Sequence, residues 1–222
     1  MIRTTRFLSL FAVALLLTAC AGMIPQEARY DLELTEVERP TNAQQRYGPP
    51  KITRGADSGG VYGYTFEDSL VQVIAVPMRT GIRLTITNLT DHSIKVNWDE
   101  AAIVGFDGAS ERVVHNGVTY ATRTQPQPPT IIVRRGRVED HIAPVTNWNC
   151  CQYGNSFSPM LPRLTFVTAQ AGASLEQYNA EYAGKSLQML LPLEIQGVTN
   201  EYVFTWKVTA VTAPYSGYVG RL

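Results

Sequence analysis

Glu201-Tyr202-Val203-Phe204-Thr205-Trp206-Lys207-Val208-Thr209-Ala210 sets one column of residues, Tyr202, Phe204, Trp206, Val208 and Ala210, against a second of Val203, Thr205, Lys207 and Thr209. Successive side chains of an extended chain point to opposite faces, so this period of two makes a strand with one face buried. Trp206 is expected in the core. Upstream, Leu187–Ile195 is apolar but interrupted by Pro192, which cannot donate to a ladder and suggests an edge position or a bulge. Before it, Ser174 and Gln177 have capping-box spacing. Leu175, Tyr178 and Tyr182 recur at helical intervals, with Gly184 as the stop, so one short helix is expected here.

The same alternation returns earlier in the chain. Val71, Val73 and Ala75 alternate with Gln72 and Ile74; Leu84, Ile86 and Asn88 with Thr85 and Thr87; Ile94, Val96 and Trp98 with Lys95 and Asn97. The polar interval between Asn88 and Ser93 predicts a hairpin of Arg83–Asn88 with Ser93–Trp98. Asp107-Gly108 marks a turn before Arg112–His115. Asn116-Gly117 predicts a second hairpin with Val118–Tyr120. After the proline-rich crossing Gln125–Pro129, Ile131–Val133 and Val138–Ile142 are expected to flank a basic turn at Arg134, Arg135 and Arg137, read as a solvated hairpin tip.

Seventeen glycines and 13 prolines punctuate these short runs, which favours β structure over a helical bundle. Some eight to ten strands with one helix predict a mainly β protein, an antiparallel β-sandwich, with a closed barrel as the rival. No internal repeat is visible.

The first twenty residues are of another kind. Arg3 and Arg6 precede an almost unbroken apolar run, Phe7–Leu17, shorter than the ~20 residues that span a bilayer. Leu17-Thr18-Ala19-Cys20 resembles the lipobox of bacterial lipoproteins. The resemblance implies cleavage before Cys20, a diacylglycerol on its thiol, and stable membrane anchoring by further acylation. Ala21 and Gly22 follow the cysteine rather than an Asp, which by the same resemblance favours the outer membrane, facing the periplasm, over the inner membrane. The expected organisation is a signal peptide over 1–19, a lipidated flexible tether over 20–60 and a β-sandwich domain over 61–222. The tether reading comes from poor apolar periodicity and from Pro25, Pro40, Pro49 and Pro50, with one strand expected near Tyr30–Leu34. From about Leu70 to Ala210 the β-rich pattern (Leu84–Asn88, Ile94–Trp98, Val113–Val118, Tyr202–Val208) resembles immunoglobulin-like domains of uncharacterised bacterial envelope lipoproteins. That resemblance implies architecture and setting only.

Charge narrows the partners. The chain carries 19 basic and 19 acidic side chains; loss of Arg3 and Arg6 with the signal leaves a mature net charge of −2. A nucleic-acid surface would show a basic stripe, and none is expected.

The most unusual segment is Asn147-Trp148-Asn149-Cys150-Cys151-Gln152-Tyr153-Gly154, in a loop running to Pro162. Adjacent cysteines lie about 3.8 Å apart at Cα, against about 4.4–6.8 Å in ordinary disulfides, so a bridge between them would be strained and reducible. Cys150 and Cys151 are therefore read as a bridge, two thiols or a link to another chain, and chiefly as a pin for the loop. Trp148, Tyr153 and Phe157 are the candidate contacts for a partner or ligand.

Catalytic signatures are sparse. There is no Gly-x-Ser-x-Gly elbow, no Walker loop and no Cys-x-x-Cys. Asp99 with Glu100 and Asp107 with Glu111 are the carboxylate pairs to consider for acid–base work. His92, His115 and His141 lack metal-ligand spacing, and the strand neighbours Asp140 and His141 should point to opposite faces. No cofactor, no metal and no enzymatic activity are expected. The expected role is a non-enzymatic scaffold or interaction module that engages another envelope protein through loops or an exposed strand edge. The alternative is a small-molecule or glycan-binding lipoprotein using the 147–162 loop.

Overall fold

A computed structural model describes residues 25–41, 46–56, 62–149, 156–167 and 170–213. In chain order the strands are β1 (Pro25–Glu27), β2 (Arg29–Glu38), β3 (Lys51–Ala56), β4 (Tyr62–Glu67), β5 (Val71–Met78), β6 (Gly81–Asn88), β7 (Ile94–Val96) and β8 (Ala102–Val104). They continue as β9 (Ser110–Val114), β10 (Thr130–Ile132), β11 (Arg137–Pro144), β12 (Trp148–Asn149), β13 (Ser156–Phe157) and β14 (Thr165–Val167). Helix α1 (Ala171–Tyr182) then precedes β15 (Ser186–Ile195) and β16 (Val198–Thr212). The protein is mainly β, antiparallel, with one α-helix among the described residues.

Twelve strands join in one sheet, ordered β10-β7-β15-β8-β9-β11-β6-β5-β4-β3, with β16 also on β15 and β2 on β16. Its turning point is β11. Residues 137–142 pair with β6, whereas Ala143 and Pro144 pair with Val114 and Val113 of β9. One strand thereby carries the ladder from the first limb of the sheet to the second, and the limbs face each other. Phe66 of β4 meets the rings of Tyr202 and Phe204 of β16 edge-on, each at 5.7 Å. Between the limbs lie the period-two columns Val71, Val73 and Ala75; Ile82, Leu84 and Ile86; Leu187, Met189, Leu191 and Leu193; and Tyr202, Phe204 and Trp206, all fully buried. Trp206 is in the core, where its strand pattern placed it.

Pro192 is accommodated in a way its sequence only half suggests. β15 is not an edge: it pairs with β16 along one side over its whole length. Along its other side Leu193–Ile195 pair with β7 and Gln188–Leu190 with β8, and Pro192 falls in the gap. Its carbonyl accepts the Asn97 N–H at 3.1 Å. The N and O of a strand residue point the same way, so the missing N–H faces the gap, where no ladder partner asks for it.

Three pairings differ from expectation. Arg83–Asn88 and Ser93–Trp98 make no hairpin, since β6 pairs with β5 and β11 while β7 pairs with β10 and β15. Ile131–Val133 and Val138–Ile142 likewise make none, because β10 joins β7 and β11 joins β6. Asn116-Gly117 does turn the chain, with Val118 N–H on His115 O at 3.2 Å, but the chain then enters a 3₁₀ turn at Tyr120–Thr122 instead of a returning strand. Asn88 explains the first two. Fully buried, it donates through Nδ2 to the carbonyls of His92, Ile132 and Val133 and accepts from Thr90 through Oδ1. One side chain thus satisfies the backbone of both connections where the chain leaves one limb for the other.

The flexible tether expected over 20–60 does not fit the described part of that stretch. β2 and β3 are strands of the large sheet and β1 pairs with β14. Leu34 and Tyr47 are buried. The segment between β2 and β3 is held by polar groups: Arg39 lies 3.6 Å from buried Asp68 and donates to Gly48 O, and the Tyr47 hydroxyl donates to Asn200. Asp68 also accepts from the Tyr202 hydroxyl and from the N–H groups of Leu70 and Val71. A buried carboxylate is tolerated when its oxygens are this well occupied. Proline content signalled a tether, but these contacts come from residues far along the chain. Cys20 and the signal segment lie outside the described residues.

The chain divides into two compact units, 32–162 with 185–207, and a smaller one of 1–31, 163–184 and 208–222. In the smaller unit α1 begins at Ala171, three residues before the expected Ser174 cap, and no side chain caps it. It stops at Gly184, as its spacing predicted, where the N–H donates to Val208 O. Asn179 pairs through its side-chain amide with both the N–H and the C=O of Val211, each at 2.8 Å, and Tyr30 and Tyr182 meet edge-on at 5.4 Å.

Candidate functional site

Two features of the larger unit carry chemistry. The first is the ribbon β12–β13, a two-stranded sheet of its own in which Trp148 pairs with Phe157 and Asn149 with Ser156. The two aromatic rings are tilted against each other at 5.0 Å. Asn147 braces the ribbon, accepting from Ser158 N–H through its carbonyl and donating to Pro159 O through its side chain. Tyr120 meets Trp148 edge-on at 6.3 Å, and His141 meets Phe157 at 6.1 Å. Arg123 closes the cluster with its guanidinium 3.6 Å from the Tyr120 ring centre, a cation–π arrangement. All five side chains are half-buried.

Trp148 and Phe157 are thus brought together, while Cys150, Cys151 and Tyr153 lie outside the described residues. The sequence reading missed Tyr120, Arg123 and His141 as companions of this loop. Burial, with Arg83 nearby, holds the His141 imidazole below its ordinary range against the opposing pull of Asp140, so its ring is the neutral form near pH 7. β11 and the β5–β6 turn pack tightly beside it. A Cβ on Gly81 would stand 2.2 Å from Ile142 O and 2.8 Å from the His141 ring.

The second feature is a cleft of about 390 Å³ between the turn after β9 and the proline-rich crossing. His115, at its base, stacks on buried Trp98 with ring centres 4.7 Å apart, and its Nδ1 lies 3.2 Å from Asp140 Oδ2. Asp140 Oδ1 accepts the N–H groups of Asn116 and His141. A carboxylate so placed orients the imidazole through Nδ1. Asp140 and His141 do turn to opposite faces, one towards His115 and the other towards Phe157. The crossing is fixed by Gln127, whose N–H donates to Asp99 and whose Nε2 donates to Val113 O at 2.8 Å. Arg112 pairs with Asp99 at 3.2 Å and donates to Gln125 O.

Of the carboxylates considered for acid–base work, Asp99 accepts the Gln127 N–H, Asp107 the Ala109 N–H and Glu111 the Thr146 hydroxyl, while Glu100 is exposed. Thr122, the hydroxyl that lines the cleft, is bonded to Thr119. Among the described residues no group of three His, Cys, Asp or Glu side chains is placed to hold a metal ion. Arg134, Arg135 and Arg137 are exposed, with Arg135 paired to Asp91 at 2.9 Å and Arg137 to Glu139 at 3.5 Å. No family model, no curated protein and no solved structure matches the chain.

Proposed function

We propose that the protein is a lipid-anchored lipoprotein of the cell envelope, held in the outer membrane through Cys20, facing the periplasm and acting as a non-enzymatic interaction module for another envelope protein. The observation that carries the contact part of this reading is the β12–β13 ribbon. It stands as its own two-stranded sheet and holds Trp148 and Phe157 half-buried, ring against ring. Aromatic side chains with an apolar body and part of their surface in water are the commonest anchors of protein contacts. Exposed edge residues add a second surface for the same partner: Ile131 on β10 and the adjacent Val133 are each 62% exposed, and edge strands pair readily with added chains. The immunoglobulin-like form of the fold belongs to this proposal too. Two facing limbs support it, and the continuity of the ladder through β11 favours a partly closed barrel.

The anchor is tested by replacing Cys20 with Ala. Loss of a lipid-sized mass and release of the chain from the membrane fraction are expected; unchanged mass and fractionation would contradict the anchor. The contact is tested by photocrosslinking in cells from Ser156, an exposed ribbon residue. One dominant protein adduct is expected, and an accessible probe that gives none would contradict the module.

A further inference from the structure

One asparagine of the larger unit stands apart from the rest. We infer that Asn116 is a site of self-modification: its side chain closes onto the Gly117 nitrogen, loses ammonia and becomes an aspartyl or isoaspartyl residue. The change puts a carboxylate into the cleft beside His115. The inference depends neither on the β12–β13 contact nor on the lipid anchor.

Asn116-Gly117 is the one Asn-Gly pair in the chain. The backbone nitrogen of Gly117 attacks Cγ of Asn116, and the new C–N bond closes a cyclic imide. The bond from Cγ to the side-chain nitrogen breaks, and that nitrogen leaves as ammonia with the proton of the Gly117 N–H. Water then adds to either imide carbonyl and reopens the ring. Breaking the bond to Cγ gives aspartate; breaking the bond to the backbone carbonyl carbon gives isoaspartate. Water is the one co-reactant in the balance.

The structure leaves both reacting groups unengaged. Asn116 is exposed, and among the described residues neither its side-chain amide nor the Gly117 N–H takes part in a hydrogen bond. Gly117 has no Cβ to shield its nitrogen, and a Cβ built there would meet nothing within 4 Å, so the approach is open. The other described asparagines lack this combination. Asn88, Asn147, Asn149, Asn179 and Asn200 are each held through the side-chain amide. Asn97 is followed by buried Trp98, whose side chain crowds the attacking nitrogen.

The surroundings give the change a consequence. The Asn116 N–H donates to Asp140 Oδ1 at 2.9 Å, and the Val118 N–H closes the turn on His115 O at 3.2 Å. Isoaspartate inserts a methylene into the backbone loop that this second bond closes, so the turn must widen. Asn116 also lines the cleft, which has no Asp, Glu, Lys or Arg along its wall. A carboxylate at position 116 puts a negative charge there.

The test incubates the full-length protein in mildly alkaline buffer, folded in detergent micelles or unfolded in guanidinium, and follows each asparagine by peptide mass mapping. Folded Asn116 is expected to convert at a rate close to that of the unfolded chain, because no bond has to be broken first. It should also convert faster than the other described asparagines by about tenfold, a barrier lower by about 1.4 kcal/mol. The product should release ammonia and contain isoaspartate, read by its uptake of a methyl group from isoaspartyl methyltransferase. Asn116→Gln has a longer side chain that closes a ring less readily, and it is expected to keep its amide over the same period. Three outcomes would overturn the site. Asn116 could stay intact in the folded protein while the unfolded chain converts, which would mean that the turn holds the side chain away from the Gly117 nitrogen. Another described asparagine could convert first in the folded protein. Aspartate could form without isoaspartate, the mark of direct amide hydrolysis with no ring.

Discussion

At the residue scale the larger unit is held by a few buried polar groups. Asp68 is the clearest: it faces Arg39, the Tyr202 hydroxyl and two backbone N–H groups. Burial, with the neighbouring carboxylate, pushes the Tyr202 phenol well above its ordinary range, so it remains a donor to Asp68 at any physiological pH. Replacing Asp68 with Ala leaves the Arg39 charge and the Tyr202 hydroxyl buried without their acceptor. A loss of about 3–5 kcal/mol in urea unfolding is expected, and a loss below about 1 kcal/mol would mean the network contributes little. His141 gives a pH dependence. Its folded pKa is held down by burial, whereas the unfolded chain titrates near the ordinary value of about 6.5. Stability is therefore full above about pH 6.5 and declines as pH falls towards the lower folded value, because the unfolded state takes up the proton first. In His141→Gln the decline that begins near pH 6.5 should be shallower. Superimposable stability–pH curves for the two proteins would show that His141 does not titrate differently on folding.

At the scale of elements, what the sequence displayed was position rather than partnership. The alternations at 71–75, 84–88 and 202–210 lie on strands, and that at 94–98 does so over Ile94–Val96, because burying one face of a pleated chain fixes a period of two whatever the strand pairs with. Pairing is decided by groups that alternation does not reveal. Asn88 anchors two connections through its side chain, so the apparent hairpins on either side of it become crossings between limbs. Where a tight turn does connect neighbours, the local signal suffices. Asp107-Gly108, the expected turn, joins β8 to β9, whereas Gln196-Gly197, both with positive φ, joins β15 to β16 without having been singled out in the sequence. In the site, Trp148 and Phe157 were legible as aromatics in one loop. Tyr120, Arg123 and His141 were not, since they reach the ribbon from elsewhere in the chain, and Gln127 carried no motif at all. The packing of β6 on β11 supplies a controlled test. Gly81→Ala forces a Cβ into Ile142 O and the His141 ring, and a cost of about 1–3 kcal/mol is expected. Gly55→Ala, on the edge strand with open space around it, should be within about 0.5 kcal/mol of the parent. Equal effects would show that the β6–β11 contact yields freely.

At the scale of the whole molecule, the described β-ladders begin well before Val61, at Pro25 in the β1–β14 pair and at Arg29 in the large sheet. Under the anchor proposed at Cys20, this would keep the folded body nearer the membrane than a forty-residue tether. The ribbon and the cleft meet at one short element. Tyr120 touches Trp148, while Thr122, two residues on, lines the cleft. An interaction module of this design touches its partner through aromatic side chains on a braced ribbon, and the most direct test is crosslinking from Ser156 in intact cells in two backgrounds, native and Phe157→Ala. The account predicts one dominant protein adduct in the native background and its loss when the Phe157 ring is removed, with the thermal melt of the variant close to that of the parent. An adduct of equal yield in both backgrounds, or a scatter of weak adducts in each, would contradict it.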